Sequence, residues 1–414
     1  MQQQLLKNNS FTSLCCKYFI IFMLLFRPVN YLVVSFETYN KAFYYIAYLL
    51  FIINYISIPF VIYAIIDSKS LKIDSVFFVI FLILSISCTV LFFPQNSIFL
   101  EQLIFSFIYI ILAYCVVRND LIDLKELENK IIKVARILFF ALFIVLASVL
   151  KFNVNEEYMN YSDANSIVSA ILLYSAIVKG NKHDYITGFA SFLLILLYGS
   201  RGSFLSLCLL ILLFLLFKKN SIRKQILLYV LFLIILVLIL FWNDILYYMR
   251  GVLDKFDINS RTIASMFSDS FFSSLSRKAI YQYLFELIKE NALLGIGLCG
   301  DRYYMPFVFR SNNIEYAHNL FIEIVLDYGL ILGSIIIIYI LKQIFSGFFF
   351  NKKIDYEDKC FIAILFAISF VQLLVSRSYL SEISFFILLA YSTSFREGNQ
   401  KKLDDKYMNL RYSN

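Results

Sequence analysis

Charge is what this sequence is short of. Only 16% of its 414 residues are Asp, Glu, Lys or Arg, whereas a soluble protein is about one quarter charged. That deficit excludes the two or three soluble domains that length alone would suggest. Histidine is scarcer still, with His183 and His318 the only two. The seven cysteines form no CxxC pair and have no metal spacing with histidine. Cys88, Cys115, Cys208 and Cys360 fall inside or beside apolar runs, where cysteine acts as a small hydrophobe. There is no P-loop, zinc motif or nucleophile elbow, and the Asp404-Asp405 pair lies in the C-terminal tail. No metal and no cofactor is expected.

What the sequence has instead is apolar length. Hydrophobic residues make up 61% of it and aromatics 18%. Runs of about 20 residues, enough to cross a hydrocarbon core of roughly 30 Å, recur along the chain. Runs such as 222–242 lack strand-like alternation, and in lipid only helices and closed barrels satisfy their own backbone groups. The fold class is therefore all-α, a polytopic integral membrane protein. Twelve spans are expected, around residues 18–35, 42–66, 75–93, 98–117, 131–150, 164–179, 184–200, 202–217, 224–242, 318–345, 359–376 and 378–395. Nine thus fall in residues 1–242 and three in 318–395, separated by a long loop at 243–317 and followed by a basic tail at 396–414. The first run follows Cys15-Cys16 and does not end in small residues, so it reads as a retained span.

Charge placement orients the spans. With the N-terminus inside, the inside segments hold twenty-two Lys and Arg, and the short outside segments hold four: Lys41, Lys151, Arg201 and Arg377. By the positive-inside rule both termini are then cytoplasmic and loop 243–317 lies outside. The net charge of +8 is an inside anchor for membrane lipid rather than a nucleic-acid arm.

On this scheme the unusual polar residues gather at the outer face: Asp163, Asn165, Arg201, Arg277, His318, Asn319 and Arg377. Arg201 lies between two apolar runs in Tyr198-Gly199-Ser200-Arg201-Gly202-Ser203. A cation near the hydrocarbon edge costs up to about 2.5–3.5 kcal/mol and opposes the dipole of the helix it starts. A bound anion relieves both costs; snorkelling to lipid headgroups is the alternative. Arg277-Lys278 open a stretch in which Ile280, Leu284, Leu287 and Ile288 keep helical spacing, which reads as an amphipathic helix at the outer interface. Three arginines near one surface suit a diphosphate, because guanidinium groups bind phosphate bidentately.

His183 reads as solvated surface in a short inside loop. His318 heads the tenth span, where the positive helix end favours a neutral imidazole able to accept a proton from a hydroxyl. Asn319, Glu323 and Asp327 follow at four-residue spacing and share one helix face. Carboxylates in spans mark function, and pairing with Arg201 or Arg377 explains Glu323 equally simply. Gly295-Ile296-Gly297-Leu298-Cys299-Gly300 matches GxGxxG, but without the preceding strand that a dinucleotide site needs. It reads as a glycine turn shaping the loop.

Taken together, Gly199-Ser200-Arg201-Gly202, Arg277, Leu294-Gly295-Ile296-Gly297, Tyr316-Ala317-His318-Asn319-Leu320-Phe321-Ile322-Glu323 and Tyr328-Gly329-Leu330 resemble the O-antigen polymerase and O-antigen ligase family of bacterial surface-polysaccharide enzymes. The motif-bearing part is about residues 195–335. Tyr281 stands where the family usually has an aromatic, often Trp, after the loop arginine. The resemblance implies metal-independent glycosyl transfer at the outer face of the bacterial cytoplasmic membrane. Its donor is a polyprenyl-diphosphate-linked oligosaccharide, and a chain-length regulator is a further partner. Carried across, Arg201 and Arg277 bind and stabilise the diphosphate as it leaves, and His318 activates the acceptor hydroxyl. Arg377 and, by position alone, Asn165 join them as substrate-binding residues with Asn319 and Glu323.

A polymerase transfers the growing chain to the next lipid-linked repeat unit, and a ligase transfers it to a finished acceptor such as a lipid A core. Gly300-Asp301-Arg302 and Tyr-Ala-His-Asn-Leu look more like the polymerases. A transporter or flippase is the alternative of another class, but transporters place ionisable groups near the bilayer midplane on repeated, broken helices. No convincing repeat is seen here.

Overall fold

Apolar runs must pair their own backbone groups, and here they do so as helix: no strand occurs among the described residues. The computed structural model describes residues 10–39, 41–68, 71–152, 158–198, 200–218, 275–309 and 316–396. The helices are α1 Ser10–Leu24, α2 Phe26–Tyr39, α3 Lys41–Asp67, α4 Ile73–Phe92, α5 Ser97–Arg118, α6 Leu124–Phe152, α7 Tyr158–Ile177, α8 Lys182–Tyr198 and α9 Arg201–Phe217. After them come α10 Leu275–Glu290, α11 Gly300–Phe309, α12 Leu320–Ile344, α13 Tyr356–Leu365 and α14 Ile383–Arg396.

Among the described residues, four segments are long and apolar enough to cross a membrane: Tyr48–Asp67, Ile73–Phe92, Pro94–Arg118 and Leu320–Phe349. A fifth results if the pair Phe11–Leu24 and Phe26–Ser35, bent by 67°, counts as one span. The chain is thus a helical membrane protein; among the described residues these lengths support four or five spans and do not bear out the count of twelve expected. α8 and α9 have 17 residues each, about 26 Å at 1.5 Å per residue, short of a core of roughly 30 Å. α7 carries Ser162, Asp163, Asn165 and Ser166 in its first half. The expected span at 224–242 lies outside the described residues.

The chain divides into two units. One comprises Met1–Phe26, Tyr48–Lys130 and Tyr281–Asn414, and the other Arg27–Ala47 and Ile131–Ile280. In the second, α7 packs on α8 and α9. Gly188 permits the approach, since a Cβ there would stand 3.2 Å from the Leu172 backbone. Hydrogen bonds then join the two helices, as small and polar residues do between helices in lipid. Asn165 Nδ2 donates to Ser191 O at 3.1 Å, and Ser191 Oγ donates to Asn165 Oδ1 at 2.8 Å. Arg136 donates from Nε and Nη2 to the two oxygens of Asp184, each at 2.8 Å.

In the first unit the distinguishing feature is a break in α12. Gly329 has φ 76 and ψ 172, so the helical ladder stops and resumes there. The interrupted groups are taken up by the glycine turn that follows α10. Ile296 N donates to Leu326 O at 2.7 Å, and Leu330 N donates to Ala292 O at 2.7 Å. The two strands of backbone are too close for side chains. A Cβ on Gly295 would lie 2.4 Å from Leu326 O, and one on Gly329 would lie 2.4 Å from Leu293 O. The turn is fastened on its other side by Asn96, whose Nδ2 donates to Ile296 O at 2.9 Å and Leu298 O at 3.1 Å. Thr89 Oγ1 accepts from Leu298 N at 3.0 Å.

Gly295→Ala and Gly329→Ala each meet backbone and a positive φ together, and are expected to reduce folded protein in membranes severely. Quantitative blotting of membranes against wild type checks this. Normal amounts of both variants would contradict the interlock.

Candidate functional site

The tenth expected span begins where the sequence places it. Asn319 is the N-cap of α12, its Oδ1 accepting from Phe321 N at 3.0 Å and Ile322 N at 3.3 Å, the standard way to satisfy a helix's first donors. Its Nδ2 donates to Leu374 O at 3.2 Å, fixing α12 against the segment before Arg377. His318 precedes the cap with φ 53, a left-handed conformation that non-glycine residues seldom take.

The half-buried imidazole of His318 has its Nδ1 at 3.3 Å from Ser376 O. A carbonyl can only accept, so that contact is a hydrogen bond when Nδ1 carries the proton, and the neutral ring's basic lone pair is then on Nε2. Tyr316 OH donates to the same carbonyl at 2.9 Å. The Tyr316 and His318 ring centroids are 4.3 Å apart. Tyr316 and His318 are therefore anchored together on the backbone of Ser376.

Behind this turn lies a buried polar cluster. Asp301, fully buried on the first turn of α11, accepts from Ala317 N at 2.9 Å through Oδ2, and from Arg302 N at 2.9 Å and Arg302 Nη1 at 3.3 Å through Oδ1. Arg302 Nη2 donates to Ser378 Oγ at 2.8 Å, and its Nη1 is 3.7 Å from Glu323 Oε1. Ser378 Oγ and Tyr379 N both donate to Glu323, the latter at 3.2 Å. Tyr379 OH donates to Asp327 Oδ2 at 2.6 Å. Burial works against the charge on Arg302, but Asp301 and Glu323 hold its guanidinium protonated above its ordinary value. Burial also pushes the Cys299 thiol up, which keeps this cysteine from acting as a thiolate nucleophile.

Glu323 is thus paired with Arg302 rather than with Arg377. Arg377 is itself 3% exposed and ion-paired: its Nη1 donates to Glu382 Oε2 at 3.0 Å and to Ile368 O at 2.8 Å. His318, Asn319, Glu323 and Arg377 all fall in the first unit. Asn165 and Arg201 belong to the second. The Asn165 amide is spent on Ser191, as described above. Arg201 starts α9 behind an N-cap, Ser200, whose Oγ accepts from Ser203 N at 3.2 Å. Ser200 N donates to Ser162 Oγ at 2.7 Å, and Ser203 Oγ donates to Asp163 Oδ1 at 3.3 Å. The side chains of Arg201 and Arg277 lie outside the described residues. Arg277 is in the first turn of α10, and Leu284 and Leu287 are buried as its amphipathic spacing predicts.

Three residues that matter here went unrecognised in the sequence. Asp301 and Arg302 stand directly after the glycine turn, in a run read only for its family likeness. Arg27 lies inside an apolar run, yet it pairs with Asp163, Nη1 to Oδ2 at 3.4 Å, at the bend between α1 and α2. A cation inside an apolar run was the available signal.

Arg377→Ala leaves Glu382 buried without its partner, a change that costs about 3–5 kcal/mol in a buried ion pair. Its membrane abundance is expected to fall, and Glu382→Gln in the same background to restore part of it. Blotting of both variants checks this, and an abundant Arg377→Ala protein would contradict a structural role for the pair.

The sequence model of the O-antigen ligase family matches residues 186–337. The match takes in Arg201, Arg277, the glycine turn, Asp301, His318, Glu323 and Gly329. No curated protein and no solved structure matches the chain. Residues 186–337 of the chain thus match the O-antigen ligase family, and the similarity is confined to that stretch.

Proposed function

We propose that this protein is a glycosyltransferase that joins polyprenyl-diphosphate-linked oligosaccharide repeat units at the outer face of the bacterial cytoplasmic membrane, as an O-antigen or capsular polysaccharide polymerase. The observation that carries the reading is His318. Nδ1 on the Ser376 carbonyl directs the basic lone pair to Nε2, in a left-handed turn that the surroundings hold rigidly. In the reaction, an acceptor hydroxyl oxygen bonds to the anomeric carbon of the donor glycan while its proton passes to Nε2 of His318. The bond from that carbon to the diphosphate oxygen breaks, and the polyprenyl diphosphate departs with the electron pair. Arg201 and Arg277 supply the positive charge that the leaving diphosphate requires. Beyond the membrane no nucleotide sugar is at hand, so an activated donor must arrive on a lipid.

The family description, O-antigen ligase, favours a second reading in which the same chemistry delivers a finished glycan to lipid A core or another acceptor. The acceptor alone separates the two.

Cells lacking this gene are expected to accumulate single lipid-linked repeat units, and complementation to restore the polysaccharide ladder on a gel. Long polymer persisting on its lipid carrier in the mutant would instead mark the ligase. Complementation with His318→Ala or Arg201→Ala is expected to restore no ladder at wild-type membrane abundance, a loss of about 100-fold or more for removing a catalytic base. Full activity of His318→Ala would sink the base assignment.

A further inference from the structure

The turn that carries His318 is held from two directions, and both lead to one dipeptide. On the buried side, Asp301 Oδ2 accepts the peptide N–H of Ala317, the residue immediately before His318, at 2.9 Å. On the other side, the Ser376 carbonyl that receives His318 Nδ1 and Tyr316 OH belongs to a segment reached by Arg302, which donates to Ser378 Oγ at 2.8 Å. The Arg302 guanidinium also stands 5.7 Å over the Tyr316 ring. Among the described non-glycine residues only Asp120, Cys299 and His318 have positive φ. Two of these three flank the strap: Cys299 two residues before Asp301, and His318 one after Ala317. Backbone in such a region persists only where the surroundings over-determine it, and here a fully buried carboxylate does so.

We propose that Asp301 is a positioning residue for His318: its buried carboxylate straps the Ala317 peptide, with Arg302 holding that carboxylate in place, and so sets where the imidazole stands. The inference rests on the reading of His318 as the base. Asp301 itself touches no reacting atom, since both its oxygens are spent on Ala317 and Arg302. Its position at the start of α11, directly after the glycine turn, gives that turn a purpose. The interlock of Gly295 with Gly329 fixes α12, and the same chain a few residues on delivers Asp301 to Ala317, just before that helix.

The test uses full-length protein in proteoliposomes, supplied with lipid-linked repeat units extracted from cells lacking the gene. Asp301→Asn keeps a carbonyl oxygen for the Ala317 N–H, and is expected to lose about tenfold or less in kcat, because a neutral acceptor bonds roughly half as strongly. Asp301→Ala removes the strap and is expected to lose about 100-fold in kcat, as small misplacements of a catalytic group do, with KM for the lipid-linked unit unchanged. In a His318→Ala background, Asp301→Ala is expected to add no further loss. Asp301→Glu keeps the charge but moves the strap by one carbon, and is expected to lose kcat even if Asp301→Ala does not accumulate. Undiminished kcat in Asp301→Ala or Asp301→Glu overturns the proposal while leaving His318 as base. Asp301→Asn as inactive as Asp301→Ala, at normal abundance, also overturns it. A wild-type protein inactive on these units overturns the reaction class, and the proposal with it.

Discussion

A helix that breaks inside an apolar environment leaves backbone donors and acceptors that water cannot reach, and each one costs several kcal/mol unless the protein supplies a partner. The break at Gly329 in α12 is of this kind, and the partner is the glycine turn between α10 and α11. Ile296 N and Ala292 O take up Leu326 O and Leu330 N. Close approach of two backbones explains why both positions are glycine. Once that contact is made, the start of α11 is placed beside the start of α12, which brings Asp301 against Ala317 and Arg302 against Glu323. The candidate base, its anchoring carbonyl and the buried cluster behind it all depend on this one backbone contact.

The cluster has a particular electrostatic character. Asp301 and Glu323 face the Arg302 guanidinium, which is 10% exposed, and Asp327 joins the cluster through Tyr379. The Ser378 hydroxyl donates to Glu323 and the Tyr379 hydroxyl to Asp327. Such networks are costly when one member is missing, and this one is linked by hydrogen bonds from α11 through α12 to the segment at 376–379. Rigidity suits a turn that holds a histidine in an unfavourable conformation. In the second unit, the start of α9 is organised in the same spirit. Ser200 caps the helix that Arg201 begins, and Asp163 and Arg27 lie close by.

How far the sequence foretells this differs from element to element. The apolar runs at 75–93 and 98–117 become α4 and α5 almost to the residue, because a helix satisfies the backbone groups of twenty apolar residues within the segment itself. His318 and Asn319 stand out as a polar pair at the head of an apolar run, and the structure makes them the turn and the N-cap of α12. The break at Gly329 is hidden, since hydropathy averages over the single glycine in Tyr328-Gly329-Leu330 and sees one continuous span. The glycine turn is visible, but its partner is not, because a contact between Gly295 and Gly329 is a fact of tertiary structure. For the same reason Glu323 does not announce Arg302 as its partner. Arg377 looked like a ligand-binding cation at a loop, and the local fold gives it Glu382 five residues on. Among the described residues, α9 and α14 are apolar in character yet shorter than a full span.

As the glycosyltransferase proposed, this chain would break the bond between a glycan and its lipid diphosphate, rather than move the intact lipid-linked unit. Measuring polyprenyl diphosphate released in proteoliposomes that contain the purified protein and doubly labelled lipid-linked repeat units tests it directly. One polyprenyl diphosphate released for every glycan unit transferred is the expected result. Redistribution of intact lipid-linked units between the two leaflets, with no polyprenyl diphosphate released, would contradict the account and mark a transporter.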